Sequence, residues 1–175
     1  SNETIRMRKL LDDLLDLSRS DSGRLSISQE QVSLTELLEQ VVTLAQNTIP
    51  RTIQLTPPKN QLLNAHADPA RLQQVLLDLI ENAHKYSPED TPIKVVLRED
   101  SQGPAIDVID RGIGIPAEEL EAVFERFKRA SNAPHKTGSG LGLSLVKLFT
   151  EGMNGRIGVD SQLGQGSCFT VHLKS

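Results

Sequence analysis

Between Asp68 and Tyr86 the chain sorts its side chains by helical phase. At ~100° per residue, Leu72, Val75, Leu76, Leu79, Ile80 and Ala83 fall on one side, while Asp78, Asn82 and Lys85 fall on the other. Asp68-Pro69 is a sound start, because aspartate can cap open amides and proline needs no donor at the first helical position. A segment with this phase must lay its apolar side on a core as a helix. The polar column, a carboxylate, an amide oxygen and an ammonium within a turn and a half, reads in two ways. It is either an ordinary solvated face or a set suited to a metal–phosphate group. An oxygen ligand can hold Mg²⁺, which takes few protein ligands and fills its shell with phosphate and water. A nearby lysine supplies positive charge to those phosphates.

The segments around this helix alternate in type. Residues 4–20 read as a first helix, with Met7, Leu10, Leu14 and Leu17 in one stripe, Leu11 and Leu15 widening it, and Ser22-Gly23 stopping it. A lone helix of that length is marginal in water, so the leucine seam favours a partner helix over packing on its own domain. Leu25 and Ile27 alternate as in a short strand. Ser33 with Glu36 forms a capping-box arrangement that opens a second helix. Ile53 and Leu55, bracketed by prolines, suggest an edge strand, and Leu62, Leu63 and Ala65 another. Residues 93–97 and 105–109 read as strands around a Ser-Gln-Gly turn, residues 117–124 as a short helix, and residues 141–151 as a helix. Residues 156–160 and 167–173 form a final hairpin around Leu163-Gly164-Gln165-Gly166. The two hairpins demand antiparallel pairing. The expected fold class is therefore α/β, a two-layer sandwich of a mixed, largely antiparallel sheet with helices on one face, preceded by an N-terminal helix.

Composition narrows the function. The 175 residues are 37% hydrophobic, without the ~18-residue apolar run that a membrane-spanning helix requires. Cys168 is the only cysteine, which excludes a disulfide framework and a multi-cysteine zinc site. The net charge of −4, without a long basic run, argues against nucleic acid as the main partner.

Two further motifs carry chemistry. In Asp110-Arg-Gly-Ile-Gly-Ile-Pro116 a carboxylate ends a strand, and Gly112 and Gly114 leave room for a flat ligand near the backbone. A buried carboxylate accepts from an exocyclic amine such as adenine's, whereas guanine would oppose it with a carbonyl oxygen. Taken alone, the motif also reads as a tight strand-to-loop turn. Gly138-Ser-Gly-Leu-Gly-Leu-Ser144 opens a helix, where backbone amides and the helix dipole favour an anion. It is not a Rossmann fingerprint, since Leu145 stands at the last glycine position and SNAPHKT before it is no strand. Nor is it a P-loop, because Gly-Lys occurs nowhere in the chain.

In this order, DPARLQQVLLDLIENAHKYSP, DRGIGIP, FERFKRAS and GSGLGLSLVK together resemble the N, G1, F and G2 boxes of two-component sensor histidine kinases. The resemblance covers nearly the whole chain. It implies the Bergerat ATP-binding fold shared with gyrase and mismatch-repair ATPases. RMRKLLDDLLDLSRSDSG resembles the second helix of the kinase dimerisation and phosphoacceptor hairpin, and GQGSCFTVHL the closing strand. The implied organisation is residues 1–23 as the end of that hairpin and residues 24–175 as the ATP-binding catalytic domain.

By this resemblance Asn82 holds magnesium, Lys85 reaches the phosphates, and Tyr86, the only tyrosine, lies against adenine. Asp110 recognises the base, with Gly112 and Gly114 beneath it. Arg129 and Lys136 are candidate γ-phosphate contacts. Gly138, Gly140 and Gly142 hinge a lid of roughly residues 117–139 and start the phosphate-facing helix, Ser139 and Leu141 join them in binding the cofactor, and Phe124 and Phe127 anchor the lid. Asn82, Lys85 and Arg129 form the implied catalytic set, and the cofactors are ATP and Mg²⁺.

The pattern is broken in places. Asp78 stands where the N box commonly has asparagine, to strengthen metal binding or to cap a water network, and Thr137 takes a place often held by glycine. None of the four histidines, His66, His84, His135 and His172, is followed by an acidic residue. The phosphoacceptor histidine is thus expected on a hairpin helix missing from this chain. The implied partners are that acceptor domain, a response regulator receiver domain and, in the full-length protein, a second copy. A cytoplasmic location is expected, with membrane anchoring of the parent left open.

Two other classes remain. A clamp ATPase related to gyrase or mismatch repair would use Glu81, beside Asn82, to activate water. A non-catalytic binding module would carry a vestigial ATP site.

Overall fold

The computed structural model describes residues 1–59, 62–88, 90–134 and 139–175. Helix α1 spans Asn2–Asp21, strand β1 Glu30–Ser33, helix α2 Leu34–Thr48, strand β2 Ile53–Thr56, strand β3 Asn64–Ala67 and helix α3 Pro69–Tyr86. Strands β4 (Ile93–Asp100) and β5 (Gly103–Asp110) follow. Then come two 3₁₀ turns (Ala117–Glu119, Ala122–Phe124), helix α4 (Gly142–Gly152) and strands β6 (Arg156–Gln162) and β7 (Gly166–His172).

Five strands form one sheet in the order β2-β4-β5-β7-β6. The β4–β5, β5–β7 and β6–β7 pairs are antiparallel and β2 pairs with β4 in parallel, which is the expected mixed sandwich with Ile53 on an edge strand. Ile93, Val95, Leu97, Ile106, Val108, Phe169 and Val171 are buried on the side that receives the helices. The opposite side is polar: Arg98 grips Asp107 through two bonds of 2.7 and 3.2 Å. Leu38 and Val41 of α2, Leu76, Leu79 and Ile80 of α3, and Leu145 and Phe149 of α4 complete the core. Each such side chain contributes about 1.5–3 kcal/mol by leaving water.

The sequence misplaces some elements. Leu25 and Ile27 form no strand; they are half-buried against the core, and the strand lies later, at Glu30–Ser33. A strand needs a neighbour, and β1 finds β3 in a separate two-stranded sheet, with Val32 opposite Ala65. β3 itself begins at Asn64 rather than near Leu62. The helix expected over 117–124 is two short 3₁₀ turns.

Two devices set α3 in place. At its start Asp68 Oδ1 accepts from the amides of Ala70 (3.1 Å) and Arg71 (3.3 Å), while Oδ2 accepts from Ser28 N (2.9 Å). At its end the buried Arg51 donates to the carbonyls of His84 (3.4 Å), Ser87 (3.0 Å) and Thr91 (3.1 Å). Carbonyls at a helix C-terminus lack intrahelical donors, and a guanidinium satisfies several at once. The turn carrying Lys85 and Tyr86 is thereby fixed to the sheet.

Helix α1 departs most from expectation. The leucine seam predicted a partner helix, and Leu11 and Leu15 do remain 59% and 50% exposed. Yet α1 also packs on the rest of the chain through its acidic side, with Asp13 3%, Asp16 6% and Leu17 5% exposed.

Candidate functional site

A cavity of about 650 Å³ opens between the polar face of α3, the end of β5, the start of α4, residues 128–133 and one side of α1. Pockets of this size suit a nucleotide-sized ligand. Asp78, Glu81, Asn82, Lys85 and Tyr86 all line it, so the polar column of α3 is a cavity wall and not a solvated face. Its apolar side, Leu72 to Ala83, is buried in the core as its phase required.

Asp110 lines this cavity, buried at the last position of β5. Its Oδ1 accepts from the amides of Gly112 (2.8 Å) and Ser167 (3.3 Å). Burial pushes its carboxyl above the usual carboxylate range, and those amides pull it back. The carboxylate is held rigidly, with lone pairs left for a ligand donor.

The glycines of the DRGIGIP turn are needed by the chain itself. A Cβ on Gly112 would lie 2.2 Å from the Tyr86 carbonyl oxygen, and one on Gly114 2.2 Å from that of Gln162. The room beside Gly112, read from sequence as space for a ligand, is filled by α3, and Gly114 has φ +73° besides. Gly114 lines the cavity, whereas Gly112 buttresses Tyr86 from behind, where Ile113 N also donates to Tyr86 O (3.1 Å).

Ser139, Gly140 and Gly142 also line the cavity, and α4 begins at Gly142. Gly140 has φ +77°, and a Cβ there would strike the Phe127 backbone at 2.8 Å. Phe127 N donates to Gly140 O (2.9 Å), tying the two segments together. Leu141 is fully buried, belongs to the core and does not line the cavity. Lys136 and Gly138, with His135 and Thr137, lie outside the described residues. Phe124 anchors its segment by stacking edge-on against Phe169, with centroids 6.1 Å apart. Phe127 does not: its side chain is 64% exposed and only its backbone is pinned.

Cations and acids share the walls. Lys85 and Arg129 line the cavity as the sequence suggested, and Lys128 joins them. Glu81 sits 3.6 Å from Lys85. Asp78 accepts from Lys9 Nζ at 2.9 Å, and Lys9 also lies 3.5 Å from Asp13. The extra charge at the asparagine position of the N box is thus taken up by a lysine of α1. Burial raises the Asp78 carboxyl to about 6, against the pull of Lys9. Its second oxygen, Oδ2, is buried with no hydrogen-bond partner among the described residues.

Sequence reading missed the whole α1 wall: Arg6, Met7, Lys9, Leu10 and Asp13. No local signal marks them, because their place depends on contacts to residues about 70 positions away. Lys128 was within reach, being adjacent to Arg129 in the F-box segment.

Comparison with known proteins agrees with this geometry. Residues 67–175 match the family model described as histidine kinase-, DNA gyrase B-, and HSP90-like ATPase. The chain is 36% identical over 172 residues to the sensor histidine kinase YkoH of Bacillus subtilis, covering 97% of this chain and 37% of that protein. It is 37% identical over 168 residues to the adaptive-response sensory kinase SasA of Crocosphaera subtropica, covering 93% and 44%. It therefore spans less than half the length of these relatives. Among solved structures, full-length ShkA in complex with AMPPNP superposes with a TM-score of 0.79 at 28% identity, over 94% of this chain and 35% of that one. The mycobacterial sensor histidine kinase MprB does so with 0.74 at 28% identity, over 82% and 97%. The motifs, the sheet and the cavity they enclose have one explanation: the chain belongs to the histidine kinase-, DNA gyrase B- and HSP90-like ATPase family.

Proposed function

We propose that the cavity binds Mg-ATP and that this chain is the ATP-binding catalytic part of a sensor histidine kinase. In this reading residues 1–23 are the second helix of a dimerisation and phosphoacceptor hairpin, and residues 24–175 the catalytic domain. The γ-phosphoryl goes to a histidine nitrogen on the rest of that hairpin, for relay to a response regulator, within a homodimeric parent. One observation carries this: Asp110, Asn82, Lys85 and the glycines at the start of α4, Gly140 and Gly142, all line a single cavity.

Asp110 accepts the exocyclic amine of adenine with its remaining lone pairs, and its rigid seating rejects a guanine carbonyl. Tyr86 flanks the base. Lys85, Arg129 and the amides at the start of α4 hold the phosphate tail, with Lys136 as a further candidate outside the described residues. The residues present also fit a magnesium ion. Asn82 lines the cavity and supplies an oxygen ligand of the kind magnesium takes. When bound, the ion would neutralise charge on the transferring phosphates.

Phosphoryl transfer asks mainly for positioning and charge compensation. The histidine nitrogen bonds to the γ-phosphorus as the bridging P–O bond breaks, and ADP leaves with that bond's electrons. Glu81, the residue a clamp ATPase would use to activate water, lies 3.6 Å from Lys85. The test is to mix the chain with a separately made acceptor hairpin and labelled Mg-ATP. Acid-labile phosphate should appear on the hairpin histidine and none on this chain. Label on this chain alone, or steady ATP turnover abolished by Glu81→Gln, would reject the kinase reading.

A further inference from the structure

Among the described residues three ion pairs join α1 to the rest of the chain, and two of them share a pattern. Lys9 meets Asp78 at 2.9 Å, Asp16 meets Arg71 at 3.3 Å, and Asp21 takes Arg126 through two bonds of 2.9 and 2.7 Å. Going from 9 to 16 along α1 moves the contact from 78 back to 71 along α3. Both steps are seven residues, about two helical turns. The two helices therefore run in opposite directions in a register marked by charge. Were α1 reversed about this contact, Lys9 would face Arg71 and Asp16 would face Asp78, repulsive in both places.

The contact is built and not incidental. Asp13 and Asp16 are buried although acids seldom are unless paired. Arg71 is held for its task by lying over the Phe149 ring, 4.6 Å from the centroid. The surface of α1 that docks is mostly its charged side, so Leu11, Leu14 and Leu15 stay exposed for another helix. With α1 in this position Arg6, Lys9 and Asp13 become part of the cavity wall.

We propose that Arg71, Asp78 and Arg126 form a docking surface that accepts α1 in one direction and register, and that the docked helix closes one wall of the nucleotide cavity. Asp78 then has its own purpose at the position where the family motif carries asparagine: it is the acid that receives Lys9. The link to the nucleotide rests on the function proposed above, whereas the docking does not. A closed wall raises nucleotide affinity, and by linkage nucleotide tightens docking by the same factor.

The test uses the whole chain with spin labels at Asp12→Cys and Lys94→Cys in a Cys168→Ser background, both label sites being exposed. Pulsed dipolar spectroscopy without nucleotide should give one narrow distance distribution. Asp16→Arg and Asp78→Asn should each broaden it. The swap Asp16→Arg with Arg71→Glu should restore it. Asp78→Asn changes charge without shape, so it reports even if the Arg71 variant does not fold. An unbroadened distribution in both single variants, or a folded swap that stays broad, would overturn the docking surface. Asp16 does not line the cavity, so Asp16→Arg reads the coupling cleanly. ADP affinity measured by calorimetry should fall at least about fivefold in that variant. An undocked variant with unchanged ADP affinity would refute closure of the cavity. Failure of the unmutated chain to bind ADP would instead sink the nucleotide reading, with docking still decided by the distances.

Discussion

Helices α1 and α3 both line the cavity and use their two faces in opposite ways. α3 buries Leu72, Val75, Leu76, Leu79 and Ile80 and turns its polar residues to the cavity. α1 buries Asp13 and Asp16 and leaves Leu11, Leu14 and Leu15 in solvent. Both sequences are amphipathic, so amphipathicity alone does not say which face a helix buries. α3 packs on the sheet that makes its core. α1 adds only Leu17 to that core and otherwise meets Arg71, Asp78 and Arg126, so charge makes most of its contact.

The largest test of this contrast is apolar truncation. Leu79→Ala in α3 should cost about 2–5 kcal/mol in denaturant unfolding, as for fully buried leucines. Leu11→Ala in α1 should stay within about 0.5 kcal/mol. Similar losses would mean that the leucine face of α1 is covered. At the cavity, Asp110→Asn should weaken ATP binding at least about tenfold in calorimetry, or ~1.4 kcal/mol, because the amide turns a donor toward adenine's donor. An affinity equal to wild type would remove adenine recognition from Asp110.

A smaller effect separates the acids of the interface. The Asp78 carboxyl is raised from 3.8 to about 6, first by burial, with Asp13 and Glu81 acting the same way and Lys9 opposing them. The folded chain thus binds this proton more tightly than the unfolded chain. Its contribution is fully present below about pH 4 and is lost as pH rises through 6. Asp78→Asn cannot titrate, so the melting temperature of wild type relative to this variant should fall between pH 4 and pH 7. A gap independent of pH would place the ionised carboxylate in a better solvated setting. The smallest change is expected for Asp21→Ala, since its pair with Arg126 is solvent-exposed and such pairs add little. Thermal unfolding should barely move, and a large loss would show the third contact of α1 to be tighter than its exposure suggests.

Much of the site was legible before any coordinates. The column of Asp78, Asn82 and Lys85 followed from the phase of one helix, since 3.6 residues per turn fixes which side chains share a face. Asp110 at a strand end and glycines before a helix followed from local backbone needs. The purpose of Gly112 was misjudged for a physical reason: a glycine reports that something approaches closely, not whether it is ligand or chain. Here it is the Tyr86 carbonyl. The strand expected at Leu25 and Ile27 failed because alternation without a neighbouring strand leaves its backbone groups unpaired.

Periodicity, capping residues and turn glycines thus settled most of the elements, the sandwich and the motif-bearing wall of the cavity, because these depend on neighbours a few positions away. The α1 wall, the pairing of Lys9 with Asp78 and the separate β1–β3 sheet were decided only by the tertiary structure. Those contacts join residues tens of positions apart, and their energy depends on which side chains the packed core leaves at its surface.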